Sequence, residues 1–346
     1  MRIVITADPY LPVPPRLYGG IERVIDLLVR GLVDRGHDVT LMAHPDSRVP
    51  ATLVPYGRAP HVGFAPRAME LAQVGVALWR RRGGVDVVHS FGRLAALLPI
   101  LPLRRIPKIQ SYQRDAVPWP SIARAVTLAG PSIAFTGCSS SVYRERPAGA
   151  GNWHTIFNGV DVAHYTATRS VAEDAPLVFL GRLEPMKGAH HAIEISRRAG
   201  RRLVIAGNKV DSCAGYFDRQ IAPHVDGTHV VYVGPVDDAQ KNMWLGQSAA
   251  LLMPIEWEEP FGIVMAEALA CGTPVIAFKR GSVHEVVRNG INGFACSSVD
   301  EAVQAVARLH VIDRVTVRAD CEARFASPII VGQYERLYDE MIGRVA

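Results

Sequence analysis

The sequence predicts an α/β protein built from two Rossmann-like domains, and three observations carry that prediction. The chain has 346 residues, beyond the ~250–300 at which one hydrophobic core stops growing. Short β-rich runs alternate with helical patterns, the mark of parallel βα units. The alternation stops in the middle of the chain and starts again at Leu177.

In the first half, Arg2–Ala7 reads as a strand. It leads into a loop with prolines at 9, 12, 14 and 15 that ends at Gly19-Gly20. Ile21, Val24, Ile25, Leu28, Leu32 and Val33 then fall at i, i+3, i+4 spacing, a helix that Gly36 ends. Val39–Ala43 is the next strand. Prolines at 45, 50, 55 and 60 make 44–62 a loop. Further strands are expected at Asp86–His89, Lys108–Ser111, Ile133–Thr136 and Thr155–Phe157. The most apolar stretch, Leu94–Leu103, has ten residues and two prolines, and a membrane span needs ~20. It reads as a core helix with a solvated Arg104-Arg105 end. Weak contact with a membrane surface is the lesser alternative.

Ser170–Pro176 is polar and ends in proline, as a linker does. After it, strands are expected at Leu177–Leu180, Arg202–Ala206, Val230–Val233, Ala250–Met253 and Pro274–Phe278. Helices fit at Ala189–Ala199, Asp237–Ser248 and Gly262–Cys271. A last helix, Ser327–Ile342, carries Tyr334, Leu337 and Tyr338 on one face. The break falls near 160–175, which divides the chain into 1–165, 166–326 and a terminal helix, 327–346. Ligands of open α/β sheets sit beyond the carboxyl ends of the strands, so two such domains facing each other would make a cleft.

Composition narrows the function classes. Apolar residues at 49% and charged residues at 21% are an ordinary globular mix, which excludes a disordered, collagenous or coiled-coil chain. The net charge of +5 comes from 38 basic and 33 acidic residues. The basic residues are 33 Arg and 5 Lys, so a lysine inside a motif carries weight. The Arg clusters at 80–82, 104–105, 197–198 and 201–202 fall at expected element ends without aromatic interleaving, so no nucleic-acid partner is expected. Five cysteines without Cys-x-x-Cys indicate neither a disulfide framework nor a zinc knuckle. The first eight residues turn polar too soon for a signal peptide, and a cytoplasmic location is expected.

Three motifs can carry chemistry. Between Gly262 and Phe278 stands one charged residue, Glu267, mid-helix among Met265, Ala266, Ala268 and Leu269. A lone buried carboxylate is costly unless paired or hydrogen-bonded, and one accepting two hydroxyl protons suits a ribose diol. A solvent-facing Glu267 is the bland alternative. Pro260-Phe261-Gly262 precedes that helix, whose free amides favour an anion, and Glu259 lies eight positions before Glu267, within reach of sugar hydroxyls or simply complementing the helix dipole. The second motif is Gly181-Arg-Leu-Glu-Pro-Met-Lys-Gly188, straight after a strand. Arg182 and Lys187 suit a phosphate, although solvated loop charges would look the same, and a P-loop is absent. The third is Tyr18-Gly-Gly-Ile-Glu22, whose glycines can present amides to a phosphate. His190-His191 has no partner at ligand spacing, so no metal site is expected.

In this order and spacing, these motifs resemble the retaining GT-B glycosyltransferases of family 4. The matching pieces are Gly-Gly-Ile-Glu (19–22), Asp-Val-Val-His (86–89), Asn-Gly-Val-Asp (158–161), Gly-Arg-Leu…Lys-Gly (181–188) and the pair Glu259 and Glu267. Gly281-Ser-Val-His-Glu285 and Asn289-Gly-Ile-Asn-Gly293 follow suit. The resemblance implies a GT-B fold, with 1–165 binding the acceptor, 166–326 binding the nucleotide-sugar and 327–346 crossing back to the first domain. It implies that Arg182 and Lys187 bind the donor diphosphate, helped by backbone at Gly19, Gly20, Phe261 and Gly262. Glu267 would hold the ribose and Glu259 the donor sugar, with His89, Gln113 and His284 in the donor-sugar and acceptor region. No metal or other cofactor would be required, because cations and amides neutralise the leaving diphosphate. The leaving phosphate would take the acceptor's proton. Catalysis would then rest on Glu259, Arg182 and Lys187.

Two positions depart from the family pattern. Gln113 stands where a histidine is usual, and His284 replaces a usual proline. Glutamine can hydrogen-bond a sugar hydroxyl but cannot titrate near neutral pH. The short, Arg-rich chain is similar to actinomycete antibiotic-tailoring enzymes of the avilamycin type. A UDP-sugar donor and a small-molecule acceptor are expected. The donor base, the sugar, the acceptor and the oligomeric state stay open. So do two alternatives, a nucleotide-sugar 2-epimerase of the same fold and a non-catalytic nucleotide-sugar-binding protein.

Overall fold

A computed structural model describes residues 1–15, 19–57 and 64–345, without the side chains of 64–67 and 214. Tyr18 of the expected motif Tyr18–Glu22, and residues 58–62 of the expected loop 44–62, lie outside the described residues. The chain folds into two units, Met1–Gly159 with Ser327–Ala346, and Val160–Ala326.

The first unit is a seven-stranded parallel sheet. Its strands are β1 (Arg2–Thr6), β2 (Asp38–Ala43), β3 (Thr52–Pro55), β4 (Val87–Ser90), β5 (Lys108–Tyr112), β6 (Ile133–Gly137) and β7 (Asn152–Thr155), in the order β3-β2-β1-β4-β5-β6-β7. The central strands are buried on both faces, so they read as apolar runs. The helix Gly20–Asp34 buries Val24, Ile25, Leu28, Val29 and Leu32. It ends where Gly36, at φ +82°, turns the chain, with its amide on Val33 O at 2.8 Å. The terminal helix Ser327–Val345 packs on this unit through Ile330, Val331, Tyr334, Leu337, Tyr338 and Met341.

Two expectations for this unit are corrected. Residues 44–62 are not all loop, because Thr52–Pro55 adds a strand to the sheet edge beside β2. Its residues are exposed or half-buried, so no apolar period marks it. The strand expected at Thr155–Phe157 lies instead at Asn152–Thr155, where Trp153 alone is buried. The apolar run from Leu94 forms a 3₁₀ helix, Leu94–Ile100, with Leu94, Ala96, Leu97 and Ile100 in the core. Among the described residues, no helix is long and apolar enough to cross a membrane.

The second unit is a six-stranded parallel sheet. Its strands are β8 (Leu177–Leu180), β9 (Leu203–Ala206), β10 (Val230–Gly234), β11 (Ala250–Met253), β12 (Val275–Phe278) and β13 (Gly293–Cys296), in the order β10-β9-β8-β11-β12-β13. The switch in strand order lies between β8 and β11, where the crossovers diverge and ligand crevices form. Val160 opens the unit, its amide on Phe325 O at 2.8 Å. The helix Arg314–Phe325 packs against Ile263–Ala270. The buried Arg314 guanidinium holds the carbonyls of Thr168, Gly246 and Ser248, which ties the start of the unit to its end.

Candidate functional site

The motif residues of the second unit gather at the carboxyl ends of β8 and β11. After β8, Leu183 N bonds Asn208 O at 3.0 Å, and the chain makes a 3₁₀ turn, Pro185–Lys187. Gly188 follows at φ +74°. A Cβ there would lie 1.9 Å from Pro254 O, so only glycine lets this turn press against the segment after β11. Glu256 N on Met186 O, 2.9 Å, fastens the two segments together.

That packing brings Lys187 to Glu259. Lys187 Nζ donates to Glu259 Oε2 at 2.6 Å, and Trp257 Nε1 donates to the same oxygen at 3.0 Å. The ammonium also lies 4.6 Å from the centre of the Trp257 ring, a cation–π contact. Arg182 turns to Glu184, 2.9 Å away. Glu259 is held from behind: its carbonyl accepts Ser282 N at 2.9 Å, and the Ser282 hydroxyl bonds Phe261 O at 2.9 Å. Gly281 N bonds the Glu258 carboxylate at 2.8 Å. Phe261 is buried, and Gly262, in the left-handed region, starts the helix Ile263–Ala270 without a side-chain cap.

Glu267 stands inside that helix and is buried, which excludes the solvent-facing alternative. It is paired. Lys241 Nζ donates to Glu267 Oε1 at 2.5 Å and Tyr165 Oη to the same oxygen at 2.8 Å. Sequence reasoning missed both partners. The signal for Lys241 was available, since it is one of five lysines and lies in the helix Asp238–Gln247 among otherwise ordinary polar residues. Two of the five lysines thus neutralise the two carboxylates of the Glu-x7-Glu pair. His284 is exposed, with Glu285 the nearest carboxylate at 3.9 Å.

The expectation that His190-His191 lacks a ligand-type partner is corrected. Glu256, far away in sequence, lies 3.1 Å from His191 Nε2 and 4.0 Å from His190 Nε2. These residues have metal-binding atom types within 4.8 Å of one another. The Tyr216 hydroxyl accepts the His190 amide at 3.2 Å and lies 2.8 Å from His190 Nδ1. The cluster is a hydrogen-bonded knot at a helix start.

In the first unit, Gly19 and Gly20 open the helix Gly20–Asp34, with no side chain capping its first turn. The side chain of His89, expected in the donor-sugar and acceptor region, is instead enclosed by the fold. It is fully buried, with Nδ1 at 2.7 Å from Tyr338 Oη and Nε2 at 2.6 Å from Ser111 Oγ. Both ring nitrogens are spent on the terminal helix and β5, and burial pulls its pKa down to about 3. Gln113, just past β5, has both amide atoms buried with no hydrogen-bond partner among the described residues. It lines a cavity with Asp8, which follows the first strand. Burial raises the Asp8 pKa, opposed by Arg93 and Arg114.

Residues 167–315 match the model of glycosyl transferases group 1, and residues 18–164 match that of glycosyltransferase family 4. The chain is 27% identical over 363 residues to a glycogen synthase of Mycobacterium tuberculosis, covering 90% of this chain and 86% of that one. It is 28% identical over 286 residues to a phosphatidyl-myo-inositol mannosyltransferase of Propionibacterium freudenreichii, covering 75% and 73%. Among solved structures, it is similar to AviGT4, a glycosyltransferase involved in avilamycin A biosynthesis. The TM-score is 0.73 and the identity 25%, over 99% of this chain and 98% of that one.

Proposed function

From the premise that the chain belongs to the GT-B glycosyltransferases, we propose that it is a retaining enzyme that moves a sugar from a nucleotide diphosphate donor, a UDP-sugar, to a hydroxyl of a small molecule. One observation carries this reading. Lys187 and Trp257 both donate to one carboxylate oxygen of Glu259 at the strand ends, next to an uncapped helix start at Gly262.

Lys187 keeps further N–H donors beyond the one on Glu259, and these face the diphosphate together with Arg182 and the amides at Phe261 and Gly262. Glu259 accepts from a donor-sugar hydroxyl, and Glu267 from the ribose. The acceptor oxygen attacks the anomeric carbon on the face from which the diphosphate departs. The carbon–oxygen bond to the β-phosphate breaks as the new glycosidic bond forms. The acceptor's proton passes to the leaving phosphate oxygen, so the anomeric configuration is kept and no side-chain base is needed. Positive groups placed where charge develops take the part a divalent ion would otherwise play.

The first unit binds the acceptor in this scheme. Likeness to AviGT4 over nearly the whole length of both chains supports a role in antibiotic biosynthesis.

Incubation with UDP-, GDP-, ADP- and dTDP-sugars, followed by NMR of the products, tests the proposal. A UDP-sugar should be consumed with retention, and slowly hydrolysed without acceptor. An inverted product, a 2-epimerised sugar or no donor turnover would overturn it.

A further inference from the structure

The helix Ala189–Arg198 carries two adjacent histidines in its first turn, and the segment after β11 brings a carboxylate to them. The bond from Glu256 N to Met186 O, 2.9 Å, fixes that segment beside the helix start. Glu256 Oε1 then lies 3.1 Å from His191 Nε2, and Glu256 Oε2 lies 4.0 Å from His190 Nε2. The two imidazole rings stand 4.1 Å apart, centre to centre, and Phe278 of β12 backs the His191 ring at 5.6 Å. Among the described residues, no other three side chains of His, Cys, Asp or Glu bring ligand atoms within 4.8 Å of one another. Neighbouring ligand atoms on a tetrahedral zinc ion lie ~3.3 Å apart, so small side-chain movements would close these three around one.

The surroundings suit that use. A histidine that binds metal through Nε2 carries its proton on Nδ1. For His190 the acceptor is in place, since the Tyr216 hydroxyl lies 2.8 Å from Nδ1. Such an outer contact orients metal-binding imidazoles. For His191, Nδ1 is buried with no hydrogen-bond partner among the described residues. Moving the proton there exchanges an unmatched acceptor for an unmatched donor, while the bond from Nε2 to Glu256 gives way to bonds with the ion. Burial and the neighbouring His191 lower the His190 pKa, against the pull of Glu256, so His190 meets a cation uncharged. The positive end of the helix opposes a cation, but that field is small beside three coordination bonds.

We propose that His190, His191 and Glu256 form a zinc site, separate from the residues assigned to sugar transfer. Two imidazoles and one carboxylate suit Zn²⁺, whereas Mg²⁺ and Ca²⁺ take oxygen ligands. All three side chains are partly open to solvent, so water completes the fourth position. The ion fastens the helix start to the segment after β11, and its binding stabilises the folded chain. The assignment does not depend on the glycosyltransferase reading.

The test uses the full chain, freed of metal with EDTA and then dialysed. Calorimetry with Zn²⁺ alone should show one ion per chain, and Mg²⁺ should not compete. Co²⁺ in place of Zn²⁺ should give the intense visible absorption of a four-coordinate ion. The melting temperature should rise with Zn²⁺ and fall back when EDTA is added. Tyr216→Phe removes the acceptor behind His190 and should weaken Zn²⁺ binding about tenfold or more, the usual effect of losing an outer contact. His191→Gln and Glu256→Gln remove a ligand each and should weaken it further. Melting curves in EDTA identify the variants that fold. No Zn²⁺ binding by wild type, the weak spectrum of six-coordinate Co²⁺, or an affinity unchanged in both His191→Gln and Glu256→Gln would overturn the site.

Discussion

Lys241 and Glu267 form a buried ion pair, Nζ to Oε1 at 2.5 Å, with the Tyr165 hydroxyl on the same oxygen. Both side chains are more than nine-tenths covered. The pair joins the helix Asp238–Gln247 to the helix Ile263–Ala270. It repeats inside the unit what Lys187 and Glu259 make near its surface, so both carboxylates of the motif are charge-balanced by a scarce lysine.

Breaking a buried pair by removing one partner strands the other charge, typically at about 3–5 kcal/mol, whereas replacing both is often nearly neutral. Lys241→Met alone should therefore lower the free energy of unfolding by about that amount. The double variant Lys241→Met, Glu267→Leu should recover most of the loss. Urea titration of wild type, Lys241→Met, Glu267→Leu and the double variant checks this. A double variant as unstable as the sum of the singles would show that the residues do not act as a pair.

Lys187→Ala removes the cation assigned to the diphosphate. Hydrogen bonds to charged groups contribute about 1.5–3 kcal/mol, so UDP should bind roughly ten- to a hundredfold more weakly. The side chain is partly open to solvent, and the fold should survive. Calorimetry reads the affinity directly, and unchanged binding would remove Lys187 from the diphosphate site.

His89 sets a pH dependence of stability. Burial holds its pKa near 3 in the folded protein, while an unfolded histidine titrates near ~6.5. Between those values the unfolded chain binds a proton that the folded chain does not, so stability is lost as pH falls through that window. The limiting slope is about 1.4 kcal/mol per pH unit. His89→Gln keeps polar groups near Ser111 and Tyr338 but does not titrate. Its stability should fall less than that of the wild type between pH 7 and pH 5, and parallel profiles would exclude His89 as the source.

The parts of the fold that were legible in advance are those whose residues answer to local rules. Leu177–Leu180 and Ala250–Met253 are buried on both faces and show as apolar runs with the observed bounds. Thr52–Pro55 is an edge strand with exposed and half-buried side chains, so its proline outweighed any strand signal. The site divides the same way. Glu259 and Glu267 stood out because a carboxylate in an apolar helix, and another eight residues before it, is locally odd. Lys241, Tyr165 and Glu256 did not, because each meets its partner only through the packing of separate βα units. His89 misled for a related reason: a histidine near the end of a strand looks the same in sequence whether it faces a ligand or, as here, the Tyr338 hydroxyl of the terminal helix.

Glu267 gives the sharpest test of donor recognition, because its ion pair separates folding from binding. One oxygen is held by Lys241 and Tyr165, which fixes the carboxylate against the helix and leaves the other to accept from a ribose hydroxyl in the proposed scheme. Glu267→Gln keeps the shape but replaces an ionic acceptor with an amide, so the loss of charge acts on both folding and ligand. The ratio of UDP to 2′-deoxy-UDP affinity within one variant cancels any folding defect. Wild type should prefer UDP by roughly tenfold or more, the worth of a hydrogen bond to a charged group. In Glu267→Gln that preference should shrink severalfold, while the affinity for the deoxynucleotide changes little. If the variant keeps the full preference, the carboxylate serves Lys241 alone, and ribose recognition lies elsewhere.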